Sequence, residues 1–250
     1  MRTKNLTVVI LAAGLGTRLG ALTKDRPKAL TLVNGKPILA YALSWARLLR
    51  PQKIIVVGGY LFPQIKSSVK SIDSEAEVVE NKNFKTTQRM ASLLIARDRI
   101  KGDMAVFDGD YIYHRAVAEK MTPLLREEMK ILCTNEEHPY ARLDMMVNTD
   151  GDGRLAAMSK ELKEFTHYFG SFFYCPARLL TAYFTTAEEV IRERGARNTH
   201  LEDAIVRCAE KGNTVRIASL GSPRWIEIDT PEELSIAEKM IARDPAGYLF

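Results

Sequence analysis

The sequence predicts an α/β fold: a mostly parallel sheet with helices on both faces and an inserted antiparallel hairpin lobe. Two observations carry this. Strand-like and helix-like segments alternate through the first half, the pattern that builds βαβ units. In the middle, Asn148-Thr149-Asp150-Gly151-Asp152-Gly153 separates two strand-like runs, a hairpin signal.

The elements follow in order. Thr7-Val8-Val9-Ile10-Leu11 is an unbroken apolar, β-branched run, as expected of a strand covered on both faces. Pro37 to Leu49 has helical periodicity, with Pro37 suited to a first turn. Lys53 to Val57 is a second strand, Phe62 to Val69 a short helix and Ala76 to Val79 a weaker strand. Met90 to Arg99 reads as a helix, Met104 to Phe107 as a strand, His114 to Glu127 as a helix and Lys130 to Thr134 as a strand. The hairpin strands are Asp144 to Val147 and Leu155 to Met158. Tyr168 to Tyr174 is an aromatic strand, Pro176 to Arg194 and Leu201 to Lys211 are helical, and Thr214 to Ala218 is a strand. Pro231 to Arg243 closes the chain as a helix with Thr230 as its N-cap. Connections in such sheets are right-handed, and ligands bind beyond the carboxyl ends of the strands.

Length and composition set outer bounds. A chain of 250 residues can bury a substantial core. A net charge of +5 suits an anionic ligand, and no run of Lys and Arg forms the stripe expected for nucleic acid. Cys133, Cys175 and Cys208 have no metal-ligand spacing and read as ordinary reduced thiols, with a cytoplasmic setting as the default. The apolar run Leu6 to Ala13 is too short for a membrane span.

Three stretches carry chemistry. The first is Leu11-Ala12-Ala13-Gly14-Leu15-Gly16-Thr17-Arg18-Leu19, continuing to Arg26-Pro27-Lys28. Small residues after a strand let successive backbone N–H groups approach an anion closely. Arg18 and Lys28 flank that cradle with cations, which suits a triphosphate losing pyrophosphate. Leu19 stands where the dinucleotide fingerprint needs its third glycine, and the Gly-Lys-Ser/Thr of a P-loop is missing. The second is Asp108-Gly109-Asp110 at the end of a strand, where hard oxygen ligands suit Mg²⁺; an Asp-Gly turn with solvated carboxylates is the competing reading. Strand alternation would aim the two aspartates the same way. The third is Trp225-Ile226-Glu227-Ile228-Asp229-Thr230-Pro231, where Glu227 and Asp229 would share one face of a short strand; Asp229 also reads as a stabilising charge at a helix N-terminus.

Ala12-Ala13-Gly14-x-Gly16-Thr17-Arg18-Leu19, followed by Lys28, resembles the signature of the sugar-phosphate nucleotidyltransferase superfamily. That resemblance implies a Rossmann-like core, a nucleotide over the glycine loop, and in-line attack of a substrate phosphate on the α-phosphorus. It implies catalytic, phosphate-binding roles for Arg18 and Lys28. It implies nucleotide contacts from Leu11, Ala12, Ala13, Gly14, Gly16 and Thr17, and Mg²⁺ held by Asp110 and Asp229, with Glu227 as an additional ligand.

Val57-Gly58-Gly59-Tyr60, Asn81-Lys82-Asn83-Phe84, Ser92 to Arg97, Gly170-Ser171-Phe172-Phe173 and His200-Leu201-Glu202-Asp203-Ala204 are similar to the small cytidylyltransferases. Those act on choline phosphate, 2-aminoethylphosphonate or inositol 1-phosphate. Thr86-Thr87-Gln88-Arg89-Met90 departs from their pattern, where asparagines are frequent. In this reading Gln88 reads a pyrimidine edge with its amide, Ser92 lies at the nucleotide, and Gly59 and Tyr60 flank the base or form only a strand-to-helix turn. Lys160 holds the acceptor phosphate or is an exposed loop lysine. Glu202 and Asp203 either face a cationic head group or serve the helix macrodipole, the preferred reading. Tyr140, Tyr168, Phe172, Phe173 and Trp225 either build a cation–π box or pack in the sheet. His114, His138, His167 and His200 share no spacing and receive no role.

The resulting expectation is one domain over residues 1–250, with a nucleotide-binding part at about 1–135 and 213–250 and an acceptor-binding lobe at about 136–212. Its partners are CTP or another nucleoside triphosphate and a small phosphorylated metabolite, with no nucleic acid and no membrane. A homodimer or a fused partner enzyme is compatible with it. The rivals are a sugar-1-phosphate nucleotidyltransferase using UTP, dTTP or GTP, and a catalytically inactive nucleotide-sensing module of the same fold.

Overall fold

In the computed structural model, residues 5–136, 145–221 and 224–248 are described. The expected start of the hairpin at Asp144, together with Tyr140 and His138, lies outside them. Strands are β1 Leu6–Ala12, β2 Leu32–Val33, β3 Lys36–Pro37, β4 Lys53–Gly58, β5 Glu77–Glu80, β6 Asp103–Asp108, β7 Tyr111–Tyr113, β8 Met129–Thr134, β9 Met146–Thr149, β10 Leu155–Ser159, β11 His167–Cys175, β12 Val215–Ser219 and β13 Trp225–Glu227. Helices are α1 Ile38–Leu48, α2 Phe62–Ile72, α3 Arg89–Ala96, α4 Arg115–Met121, α5 Ala177–Arg194, α6 Leu201–Glu210, α7 Pro231–Arg243 and α8 Pro245–Tyr248.

β1 is buried at every position, which explains its unbroken apolar run. Successive side chains of a strand point to opposite faces. Accordingly Val8 and Ile10 pack with α1, α2 and α4, while Val9 and Leu11 pack with α3, α5 and α6. Helices therefore cover both faces. β5, β4, β1 and β6 run parallel, with Val9 opposite Ile55 on one side and Val106 on the other. β11 then runs antiparallel to β6 and β8, and β12 lies parallel to β8. The sheet is thus mixed, with a parallel core. The hairpin β9–β10 forms as expected, and β9 joins the N-terminal end of β11.

A register shift between Phe169 and Phe173 marks a bulge in β11, and within it Ser171 has φ +52°. A positive φ in a non-glycine residue costs about 1–2 kcal/mol. The surrounding packing fixes it: Gly170 lies against the Trp225 ring so closely that a Cβ would come within 2.8 Å of it.

One expectation changes. The helix from His114 ends at Met121 instead of Glu127: Pro123 lies in a one-turn 3-10 segment, and Glu127 takes φ +49°. Of the two readings offered for the aromatics, packing holds for Phe172 and Phe173. Phe172 packs edge-on to Trp45 with ring centroids 5.8 Å apart, and Phe173 packs on Tyr183 at 4.9 Å, so both are core. The three cysteines are buried and unbridged. No helix among the described residues is long and apolar enough to cross a membrane.

Candidate active site

Where β1 ends, the chain turns through Ala13 to Gly16 and enters a 3-10 segment at Thr17. Gly16 has φ +66°, and a Cβ there would lie 2.5 Å from the Cβ of Lys28. Glycine is therefore what lets this loop rest on Lys28. The Gly16 carbonyl accepts from the Leu19 N–H at 3.2 Å and from the Thr23 hydroxyl at 2.8 Å, which ties the loop down. Lys28 opens a single 3-10 turn behind Pro27 and is buried.

Lys28 Nζ donates to Asp110 Oδ2 at 2.7 Å and to Asp229 Oδ1. Arg18, largely exposed, meets the other oxygen of Asp229. Burial alone would lower Lys28, but the Asp110 and Asp229 carboxylates more than offset it and hold the ammonium above its ordinary value. Each acid arrives from a different place. Asp110 follows β6 after Gly109, whose N–H donates to the Leu11 carbonyl at 2.8 Å. Asp229 follows β13, which pairs antiparallel with β7. Glu233 Oε2 accepts from the Asp229 N–H at 2.7 Å and from the Thr230 N–H at 2.8 Å, while Thr230 caps the Glu233 N–H. The capping box of α7 therefore also holds Asp229.

Carboxylate oxygens of Asp110, Glu227 and Asp229 lie within 4.8 Å of one another, a group able to hold a metal ion. Asp110 Oδ1 is buried without a hydrogen-bond partner. Burial, with Asp110 and Asp229 adding repulsion, pushes Glu227 up to about 8; its oxygen accepts from the Tyr111 hydroxyl at 3.0 Å. An orphaned oxygen among three hard donors is the chemistry of a divalent cation site. β13 ends at Glu227, so Asp229 reaches this group from the loop before α7 and not from the strand face expected for it.

The cleft around this group measures about 1000 Å³. Of the residues singled out from sequence, it is lined by Leu11, Ala13, Gly14, Gly16, Thr17, Arg18, Lys28, Gln88, Ser92, Asp110, Lys160, Asp203, Glu227 and Asp229. Ala12, Gly59 and Tyr60 are not among its lining residues. Gly59 instead packs under the loop, where a Cβ would lie 2.7 Å from the Ala13 carbonyl oxygen. The Tyr60 hydroxyl turns away to the Lys24 carbonyl at 2.5 Å. Ser92 is buried and accepts from Asn81 Nδ2 at 2.9 Å.

A second charge group lines the same cleft; Asp108 and Glu202 were singled out from sequence, and the Arg89 that joins them was given no role. Arg89, at the start of α3, donates to Asp108 Oδ2 and, at 2.5 Å, to Glu202 Oε1. Ser171 in the bulge donates to Asp108 Oδ2 at 2.6 Å. Burial, with Arg89 opposing and Asp110 adding, pushes Asp108 up to about 6. Asp108 and Asp110 were expected to point together, yet they enter separate groups, because β6 ends at Asp108 and the chain turns at Gly109. Glu202 Oε2 is buried with no hydrogen-bond partner among the described residues. Asp203 pairs with Arg194 at 2.6 Å and accepts from the His200 N–H at 2.7 Å in the capping box of α6. Glu202 does more than the macrodipole reading allowed. Only its departure from the expected asparagines could have marked Arg89.

Comparison with known proteins follows the same line. A bifunctional IPC transferase and DIPP synthase of Aquifex aeolicus is 27% identical over 243 residues, covering 95% of this chain and 52% of that protein. A CMP-5'-(3-aminopropyl)phosphonate synthase of Streptomyces rubellomurinus is 28% identical over 233 residues, covering 89% of this chain and 37% of that one. The chain thus spans about half or less of the length of these relatives. The inositol-1-phosphate CTP transferase from T. maritima shares the fold, with a TM-score of 0.79 at 16% identity over 94% of this chain and 96% of the other. Residues 8–198 match the MobA-like NTP transferase domain, with the glycine loop, Lys28, Arg89, Asp108 and Asp110 inside the match and Glu202, Glu227 and Asp229 beyond it, and the chain belongs to that family.

Proposed function

We propose that this chain is a Mg²⁺-dependent cytidylyltransferase that transfers CMP from CTP to a small phosphorylated or phosphonate alcohol and releases pyrophosphate. The observation that carries the reading is the meeting, beside a glycine loop, of two cations with three carboxylates: Arg18 and Lys28 with Asp110, Glu227 and Asp229. A relative named for CMP and a structural neighbour named for CTP support the choice of nucleotide. A cleft of about 1000 Å³ has room for a nucleotide and a second small molecule. In this reading the parts at about 1–135 and 213–250 hold the nucleotide and the part at about 136–212 faces the acceptor.

The triphosphate lies over Ala13 to Arg18, where backbone N–H groups and two cations meet its charge. Lys28 and Arg18 turn from the carboxylates to the phosphate oxygens. An oxygen of the acceptor phosphate forms a bond to the α-phosphorus as the α–β bridging bond breaks, and pyrophosphate carries the electron pair away. Asp110, Asp229 and Glu227 would hold Mg²⁺, which supplies charge neutralisation at the phosphate oxygens. The attacking phosphate is already anionic, so no general base is required, and catalysis is positioning plus electrostatics.

The test is pyrophosphate release with Mg²⁺, crossing CTP, UTP, dTTP, GTP and ATP against choline phosphate, 2-aminoethylphosphonate, inositol 1-phosphate and glucose 1-phosphate. Release that requires CTP supports the reading. Release only with another nucleotide keeps the chemistry and removes the cytidylyl assignment. Silence across the panel removes both.

A further inference from the structure

Resting on that reading of the cleft, the geometry points to Arg89 as a specificity residue that directs the enzyme toward an uncharged, hydroxyl-rich acceptor, such as a cyclitol or sugar phosphate, and away from acceptors bearing an ammonium group. Asp108 and Glu202 are buried carboxylates in the cleft wall. Two such groups side by side would draw a cationic head group. Here a guanidinium of the protein itself stands between them, bonded to both. It takes the place an ammonium would need and halves the negative charge that would attract it.

Two neighbouring acids are also matched within the protein. Asp203 pairs with Arg194 at 2.6 Å, and Arg207 pairs with Glu210 at 3.1 Å. What stays open is a hydrogen-bonding need: among the described residues Glu202 Oε2 is a buried acceptor with no hydrogen-bond partner, beside a guanidinium with more N–H groups than its two carboxylates use. A hydroxyl both donates and accepts, so it can serve both sides of that arrangement. A primary ammonium only donates, a quaternary one has no N–H at all, and either would lie against Arg89.

The test compares kcat/KM of wild type and Arg89→Gln, with CTP and Mg²⁺, for inositol 1-phosphate, glucose 1-phosphate, choline phosphate and 2-aminoethylphosphonate. Wild type should favour a hydroxyl-rich acceptor over both ammonium acceptors by about tenfold or more, a measurement that needs no variant. Arg89→Gln should move that ratio about tenfold toward choline phosphate, and Arg89→Gln/Glu202→Gln should move it back. A wild-type preference for choline phosphate or 2-aminoethylphosphonate overturns this inference and leaves the proposed function standing. So does an equal loss on all four acceptors in a folded Arg89→Gln protein. No release with any acceptor overturns both.

Discussion

Lys28→Met separates the electrostatic role of Lys28 from its bulk. The ammonium lies 2.7 Å from Asp110 and also touches Asp229, all three groups being mostly shielded from solvent. A unit charge pair at that distance interacts by about 6 kcal/mol at an effective dielectric near 20. Most of this repays desolvation, so the pair's net contribution is smaller. Removing the cation, however, leaves Asp110 without its ion pair and Asp229 with only the exposed Arg18, and breaking a buried pair in this way costs about 3–5 kcal/mol. For a chain of this size each kcal/mol lowers Tm by about 2–4 °C, so the variant should melt about 6–20 °C below wild type in EDTA. Millimolar Mg²⁺ should return a large part of that loss in Lys28→Met and raise wild type much less, because in wild type the carboxylates already have a cation. Thermal unfolding with EDTA and with Mg²⁺ reads both effects. Equal melting of the two proteins in EDTA, or equal stabilisation of both by Mg²⁺, would refute the reasoning.

Three further outcomes are expected. Ser171→Ala removes the hydroxyl bonded to Asp108 but keeps φ +52°, whereas Ser171→Gly also relieves the backbone, so denaturant unfolding should find the glycine variant about 1–2 kcal/mol more stable than the alanine variant. Gly16→Ala combines a positive φ with a Cβ 2.5 Å from Lys28; it should cost about 1–3 kcal/mol and reduce turnover with any acceptor, and unchanged kinetics would show that Lys28 does not depend on the loop. The hydrogen bonds from Arg47 hold the Asp73 carboxyl below its ordinary 3.8, so its contribution is present above that value and is lost as pH falls through the lower folded value. Asp73→Asn should therefore cost about 1–2 kcal/mol near neutral pH, discounted for the exposure of Arg47, and the difference should close in strong acid.

Most of the sheet was legible because its strands are buried on both faces. An unbroken run such as Val8 to Leu11, or Ile54 to Val57, has no other economical reading. The short pair β7 and β13 was harder to see: three residues each carry no periodicity, and β7 pairs with a segment more than a hundred positions away. The end of α4 was misjudged because apolar residues continue past Met121, although Pro123 marks the stop. At the site, the glycine loop, Lys28 and the acids could be located because each sits at the end of a strand or the start of a helix. Arg89 could not. Its partners Asp108 and Glu202 stand 19 and 113 positions away, and a single arginine opening a helix looks like a solvated charge. Gly59 and Tyr60 had the right address, after a strand beside the loop, but their packing spends them on the loop's underside.

Asp229 is held by the capping box of α7, while Lys28 and the loop it supports precede it by 201 residues. During vectorial synthesis the glycine loop and Lys28 emerge first and the acidic partner emerges about two hundred residues later. A nascent chain therefore carries the cationic half of the pair long before the anionic half exists, and the complete charge arrangement appears only when α7 nucleates. Assembly of this charge group is in this way tied to synthesis of the chain through Glu233.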